Sequence, residues 1–448
     1  MSANDIWTAN KFLKNPAGDG GLPRIPSLKT TNETNNNTHM HNNTDKALLF
    51  AKAFSPPPPI NTPLTTNFKA IIDLKSYYNP WKEFIMVVLR KPSKPNYETP
   101  KAYRPIALIS TMAKLLTSII AENLSRIVEQ HHILPKNHFG GRPGQSTSDA
   151  IHYLISKIHA AWNKNKVASV LFLDVEGAFP NAVTARLIHN LKKRRIPNSI
   201  VNFVKQLLTN RSTRLKFNDY LSDPIPISNG IGQGDPLSMI LYILYNADLL
   251  ETPLNQINED AIGYVDNIAV IAIGENFDDT TNRLKNLMMR EDRGLEWSRS
   301  HNSKFKVNKS AVMHFTRKTT QDPDTNKRIP IPSPNLIIKG QTVNEVKSYK
   351  CLGILINNKL NWKEQAQRAT AKVTNWILQF RRLTKLSTGV KLKLMHQLYL
   401  AVALPKIAYG LDTVTPSNIL RYYQAYRFRV FKFLVFKEFS CCYKEFIL

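Results

Sequence analysis

The chain has 448 residues, room for two to four lobes at roughly 100–200 residues each, and carries 61 Lys and Arg against 33 Asp and Glu, a formal charge of +28. That excess points to a polyanionic partner, nucleic acid before a membrane surface, because no apolar run reaches the roughly 18 residues that span a bilayer. Three cysteines, Cys351, Cys441 and Cys442, make neither a disulfide framework nor a zinc knuckle, which fits a reducing compartment and leaves oxygen ligands for any metal.

In chain order, the polar tract SLKTTNETNNNTHMHNNTDK (27–46) and SPPPPINTP (55–63) predict a flexible arm over the first sixty or so residues. WKEFIMVVLRK (81–91) reads as a strand. YRPIALISTMAKLLTSIIAENLSRIVEQH (103–131) starts extended at a proline and continues as an apolar-periodic helix, with a second helix over 147–163. The continuous apolar run VASVLFLDV within 166–179 predicts a strand buried on both faces, with Asp174 near its end. The stretch 183–208 is helical in pattern and contains the basic cluster KKRR at 192–195. ISNGIGQGDPLSMILYILYNADLL (227–250) predicts a Gly-rich turn feeding an apolar helix.

AIGYVDNIAVIAI (261–273) is two apolar β-prone runs separated by Asp266-Asn267, a pair that tolerates positive φ and so predicts a two-residue hairpin turn. A helix over 277–297, a polar turn entering a strand at 302–315 and a hairpin over 348–360 follow. Residues 360–448 are mostly helical in pattern, with 15 Lys/Arg against 4 Asp/Glu, a composition suited to gripping a phosphate backbone.

A carboxylate on a buried strand costs several kcal/mol unless something pairs with it. Asp174 and Asp266 each close such a run. Taken singly they read as a strand-end cap and a turn residue. On neighbouring strands they would converge on Mg²⁺, which prefers hard oxygen ligands, and two such ions are a recognised arrangement for phosphoryl transfer. The IGQGDPLS loop allows close approach of backbone to a nucleotide, though alone it is a weak signal.

The stretches AYRPIALIS, HFGGRPGQSTSDAI, FLDVEGAF, NGIGQGDPLS, GYVDNIAV, VNKSAVM and YKCLGILINNKLNW, in this order, resemble the reverse transcriptases of non-LTR (LINE-like) retrotransposons over about residues 85 to 410. The arm looks like the segment that joins endonuclease to polymerase in such elements, here without the endonuclease. The resemblance implies an α+β right-hand polymerase fold: an arm over 1–62, fingers over 63–165, a palm with an antiparallel sheet over 166–345, and a primer grip with a basic helical thumb over 346–448. It implies an RNA-directed DNA polymerase that extends a DNA primer on an RNA template with deoxynucleoside triphosphates, inside the cell and in the nucleus, with no membrane partner.

Residue by residue, the resemblance makes Asp174, Asp266, Asn267 and the carbonyl of Val175 the ligands of two Mg²⁺ ions, with Mn²⁺ as an alternative. Phe179 becomes the steric gate against a 2′-hydroxyl, and Gln233 and Gly234 border the incoming nucleotide. Arg104 meets the triphosphate, Lys309 protonates the leaving pyrophosphate, and Tyr349, Leu352 and Gly353 form the primer grip. One departure matters. The family's tip reads Tyr-x-Asp-Asp, whereas this chain has Tyr264-Val265-Asp266-Asn267, and an amide loses the Coulomb attraction that a carboxylate supplies at about 2 Å from a dication. Weaker metal binding is expected, and a silent relic that only binds nucleic acid is the alternative. Viral RNA polymerases of the same palm type with Gly-Asp-Asn at this tip are nevertheless active.

Overall fold

A computed structural model describes residues 28–31, 37–40, 77–92, 96–99, 102–253, 258–291, 294–305, 310–321 and 327–380, together with 394, 397–403, 405, 409 and 410. The chain divides into two units, 1–70 with 367–409, and 71–366 with 410–448. In the smaller unit the strands β1 (Leu28–Thr31) and β2 (Asn37–Met40) pair antiparallel.

The larger unit is built on two five-stranded sheets. The first holds β5 (Val167–Asp174), β9 (Glu259–Tyr264), β10 (Asn267–Gly274) and β11 (Ala311–Phe315), with β12 (Asn344–Glu345) at its edge, in the order β12-β11-β5-β10-β9. Pairing is antiparallel throughout except for the parallel edge pair β11–β12. Central β5 is buried at every position but its last, Asp174. That explains its unbroken apolar sequence, since both faces pack against protein.

One face, with Val170, Phe172, Ala269, Ile271 and Met313, packs on Ile151, Leu154 and Ile158 of α2 (Thr147–Asn163). The other, with Leu171, Leu173, Ile268 and Val270, packs under Leu284, Leu287 and Met288 of α6 (Phe277–Met289). Each such side chain contributes roughly 1.5–3 kcal/mol of burial, so the register of the sheet is strongly specified. Helix α2 begins with a reciprocal cap: Ser146 Oγ accepts from the Asp149 N–H at 3.3 Å, and the Asp149 carboxylate accepts from the Ser146 N–H at 2.7 Å.

The second sheet joins β3 (Glu83–Arg90) and β4 (Tyr103–Leu108) to β6 (Arg211–Phe217), β7 (Tyr220–Leu221) and β8 (Ile225–Ile227). β3 and β6 run parallel although some 120 residues separate them. The sequence reading leaves 209–226 without an element, because this stretch is short, charged and half exposed, with weak alternation. Helix α1 (Thr111–Gln130) follows β4. No helix among the described residues is long and apolar enough to cross a membrane.

Two expected helices are each divided. The stretch 183–208 forms α3 (Thr184–Lys193) and α4 (Asn198–Leu208), because Arg195 turns left-handed at φ +57° and Pro197 cannot continue the ladder. The stretch 277–297 forms α6 and α7 (Leu295–Ser300), interrupted at Gly294 with φ +46°. Helix α5 (Pro236–Leu250) and the hairpin of β13 (Ser348–Cys351) with β14 (Ile354–Asn357) fall where the pattern places them. Helix α8 (Lys363–Phe380) is the described part of the basic helical segment.

Candidate active site

The expected hairpin is present, and its turn lies one residue earlier than the sequence suggests. Tyr264 pairs with Asn267, so Val265 and Asp266 form the two-residue loop and Asn267 opens β10. Val265 adopts φ +58° while Asp266 stays negative, the φ pattern of a type II′ turn. Glycine normally takes that first position, and a β-branched residue there costs about 1–3 kcal/mol. The turn forms against this preference because tertiary contacts hold it. A Cβ on Gly140 would lie 2.5 Å from the Val265 nitrogen, so only glycine lets that segment back the turn so closely. Asn246 Nδ2 donates to the Val265 carbonyl.

Across the sheet Asn267 is the register partner of Asp174. Directly opposed residues share a face, so the strand-end acid and the tip amide stand side by side, with Asp266 next to them in the turn. Asn267 Nδ2 donates to Asp266 Oδ1 at 3.0 Å. Burial raises the pKa of Asp266; a backbone hydrogen bond opposes this, the charge of Asp174 adds to it, and Arg104 pulls the other way. Asp174 and Arg104 are therefore both felt at Asp266. Among the described residues no three His, Cys, Asp or Glu side chains gather as a metal site, and the site has two acids where the family pattern has three. A dication fits this donor set, because it relieves the mutual penalty of two half-buried carboxylates.

The Gly-rich loop is sewn to this centre from two sides. The Ala107 N–H of β4 donates to the Gln233 carbonyl at 2.9 Å, three residues beyond exposed Arg104. Gly234, at φ +119°, has the Ala107 carbonyl 2.9 Å from where a Cβ would stand. On the other side the Ile231 N–H donates to the Phe179 carbonyl and the Gly230 N–H to the Ala182 carbonyl, both at 2.8 Å. Asp235 caps α5 by accepting from the Leu237 N–H at 2.9 Å. Phe179 lies stacked on Tyr242 of α5 with ring centroids 4.8 Å apart. Tyr242 is fully buried, and its hydroxyl has no hydrogen-bond partner among the described residues.

The β13–β14 hairpin turns at Leu352 and Gly353, with φ +47° and +87°, both positive as in type I′. Tyr349 stacks on Phe172 of β5 at 4.1 Å and 14°. Burial pushes its hydroxyl up to about 12, and the nearby Cys351 and Asp174 add to the effect. Backbone at Val175 bridges Phe305, and the Glu176 N–H donates to the Lys304 carbonyl at 2.9 Å, which ties down the chain after Asp174. Lys309 lies outside the described residues. Of the residues brought to this centre, sequence reasoning missed Asn246, His138 and Tyr242. The signal for Asn246 was available: it is a lone amide in the apolar run MILYILYNADLL.

Two acids at neighbouring strand ends of an antiparallel sheet, a Gly-rich loop before a buried helix, and a cation on the adjoining sheet define the palm of a right-hand polymerase. Residues 89–356 match the family described as reverse transcriptase (RNA-dependent DNA polymerase). The chain belongs to that family. It is 27% identical over 343 residues to a probable RNA-directed DNA polymerase from transposon X-element of Drosophila melanogaster, covering 75% of this chain and 36% of that relative. To the RNA-directed DNA polymerase from mobile element jockey of the same organism it is 24% identical, covering 77% of this chain and 36% of the relative. The chain thus spans little more than a third of the length of these relatives. Among solved structures, an apo telomerase from Candida Tropicalis overlays with a TM-score of 0.44 and 10% identity, covering 91% of this chain and 68% of that one.

Proposed function

We propose that this chain is an RNA-directed DNA polymerase that extends a DNA primer on an RNA template, using deoxynucleoside triphosphates and two Mg²⁺ ions, with Mn²⁺ as a substitute. The observation that carries the reading is the cross-strand register of Asp174 with Asn267, with Asp266 in the adjoining turn. In the reaction the primer 3′-oxygen bonds to the α-phosphorus, the bond to the β-phosphate oxygen breaks, and pyrophosphate leaves. Asp174, Asp266, the Asn267 amide oxygen and the Val175 carbonyl would hold the ions, which supply the charge that activates the 3′-oxygen and stabilises the leaving group.

The chain's own residues do the positioning. Arg104 offers paired N–H donors to the triphosphate. The Phe179 ring, braced by Tyr242, stands against a ribose 2′-hydroxyl. Gln233 and Gly234 border the incoming nucleotide and the template base, and Tyr349, Leu352 and Gly353 steady the primer strand. Lys309 is the proposed donor of a proton to pyrophosphate. The accompanying division is an arm over 1–62, fingers over 63–165, palm over 166–345 and primer grip with thumb over 346–448. A nuclear site of action belongs to the same proposal and rests on the resemblance alone.

The test is primer extension on an RNA template in Mg²⁺ and separately in Mn²⁺, with Asp266→Ala and Asn267→Asp beside the natural chain. Extension abolished by Asp266→Ala supports the polymerase. A gain of about tenfold in Mg²⁺ from Asn267→Asp is expected, of the order that one added carboxylate contributes to a hard-cation site. The single acid at the tip, where Asn267 stands beside Asp266, favours a second reading, a silent nucleic-acid-binding relic. Binding of primer and template without extension by either chain would select it.

A further inference from the structure

Val265 holds a left-handed conformation that its side chain disfavours, and such a conformation persists only where the surroundings over-determine it. The restraint comes from helix α5. Asn246 is fully buried and donates its Nδ2 to the Val265 carbonyl at 2.5 Å. Its Oδ1 faces Nε2 of His138 at 3.3 Å, and His138 is also fully buried. An amide nitrogen only donates and an amide oxygen only accepts. The pair therefore has one self-consistent orientation: His138 donates to Asn246, and Asn246 donates to the turn. His138 is itself held against the hairpin, because the Phe139 N–H donates to the Gly263 carbonyl at 2.8 Å and the Gly263 N–H donates to the Asn137 carbonyl at 3.0 Å.

We propose that Asn246, oriented by His138, is a positioning residue for nucleotidyl transfer. Its amide clamps the Val265 carbonyl, keeps the turn left-handed, and so sets where the Asp266 carboxylate stands relative to Asp174. A turn free to relax at Val265 would swing the adjoining residue, and Asp266 is that residue. The inference rests on the polymerase reading of Asp174 and Asp266.

The experiment is a double-variant cycle with Asn246→Ala and Val265→Gly, singly and combined, followed by primer extension and by urea denaturation. Glycine adopts positive φ without steric penalty, so a clamp on the turn becomes dispensable when Val265 is replaced, whereas an amide that merely fills the core stays equally needed. Asn246→Ala is expected to lower kcat about 30-fold in the natural chain and less than about 3-fold in the Val265→Gly background, with KM for nucleotide within about 2-fold in both, since a misplaced group costs rate rather than binding. Equal losses of kcat in the two backgrounds overturn the proposal. If Asn246→Ala fails to fold, His138→Phe removes the orienting donor instead and is read through the same cycle. If the natural chain does not extend primers in either metal, the polymerase reading has failed. The denaturation arm then judges the clamp: a smaller stability loss from Asn246→Ala in the Val265→Gly background supports it, and equal losses overturn it.

Discussion

Asp266 sits where its charge is costly. Its pKa is raised, first by burial and further by Asp174, so folding favours the protonated carboxyl. The sign follows: this group's contribution is most favourable below the ordinary carboxylate range and is lost as pH rises through its folded pKa, leaving the metal-free site strained at neutral pH. Asp266→Asn, which keeps the shape and deletes the charge, is expected to raise the melting temperature of the metal-free chain at pH 7 by roughly 2 °C while abolishing extension. Scanning calorimetry at pH 7 and pH 4 checks it, since the gain should vanish at the lower pH. A gain persisting at pH 4 would place the effect outside this ionisation.

The basic cluster at 192–195 is better understood from the helices that hold it than from its charge. Arg194, the residue that caps the C-terminus of α3, is turned inward with only 8% of its side chain exposed. Its guanidinium pairs with Asp248 and with Glu251 at 3.0 Å at the end of α5, and donates to the Ile133 carbonyl at 3.0 Å. One side chain thus ties α3, α5 and the turn after α1 together; Lys193 also reaches Asp248, at 3.4 Å, which leaves exposed Lys192 and Arg195 to face phosphate. Removing one member of a fully buried ion pair costs about 3–5 kcal/mol; here the cost falls at the low end, because Asp248 keeps Lys193 at 3.4 Å and Glu251 is half exposed. Arg194→Met is therefore expected to destabilise by about 3 kcal/mol, whereas exposed Lys192→Met should stay within about 0.5 kcal/mol. Urea denaturation of the two variants makes the comparison, and equal small effects would mean the bridge is idle.

At the scale of the whole molecule, buried histidines folded in neutral form contribute to how stability falls in acid. His138 and His301 are both buried, and burial pulls each down to about 4 from an ordinary 6.5. The unfolded chain takes up these protons first, so the stability they contribute is fully present above pH 6.5 and is lost as pH falls toward 4, each group adding a slope of up to about 1.4 kcal/mol per pH unit. His301 is lodged between a stacked Trp297 at 4.5 Å and Asn190 at 3.3 Å. His301→Gln should therefore lower stability at pH 7 yet flatten the fall between pH 6.5 and 4, as read by urea denaturation across that range. An unchanged slope would contradict the assignment.

The order of the elements and the two acids were legible in the sequence because they are written in local patterns. Strand β5 had to be an unbroken apolar run to be buried on both faces, so an acid at its end stood out, and two apolar β-prone runs broken by one polar pair at 266–267 marked a hairpin. The same local logic misplaced the turn by one residue: Asp and Asn tolerate positive φ more readily than Val, yet Val265 takes it, because Asn246 and Gly140 reach it from elsewhere in the chain. It also left out β6, β7 and β8 of the second sheet, where the parallel pairing of β3 with β6 crosses some 120 residues, and it extended 277–297 through Gly294. The sequence by itself determined the family, the burial of β5 and the identity of the acids near its end and in the hairpin, since side-chain type and spacing carry these. The tertiary structure alone decided which backbone group each buried amide and imidazole would hold, because hydrogen bonds between residues some 20 to 110 positions apart leave no periodicity to read.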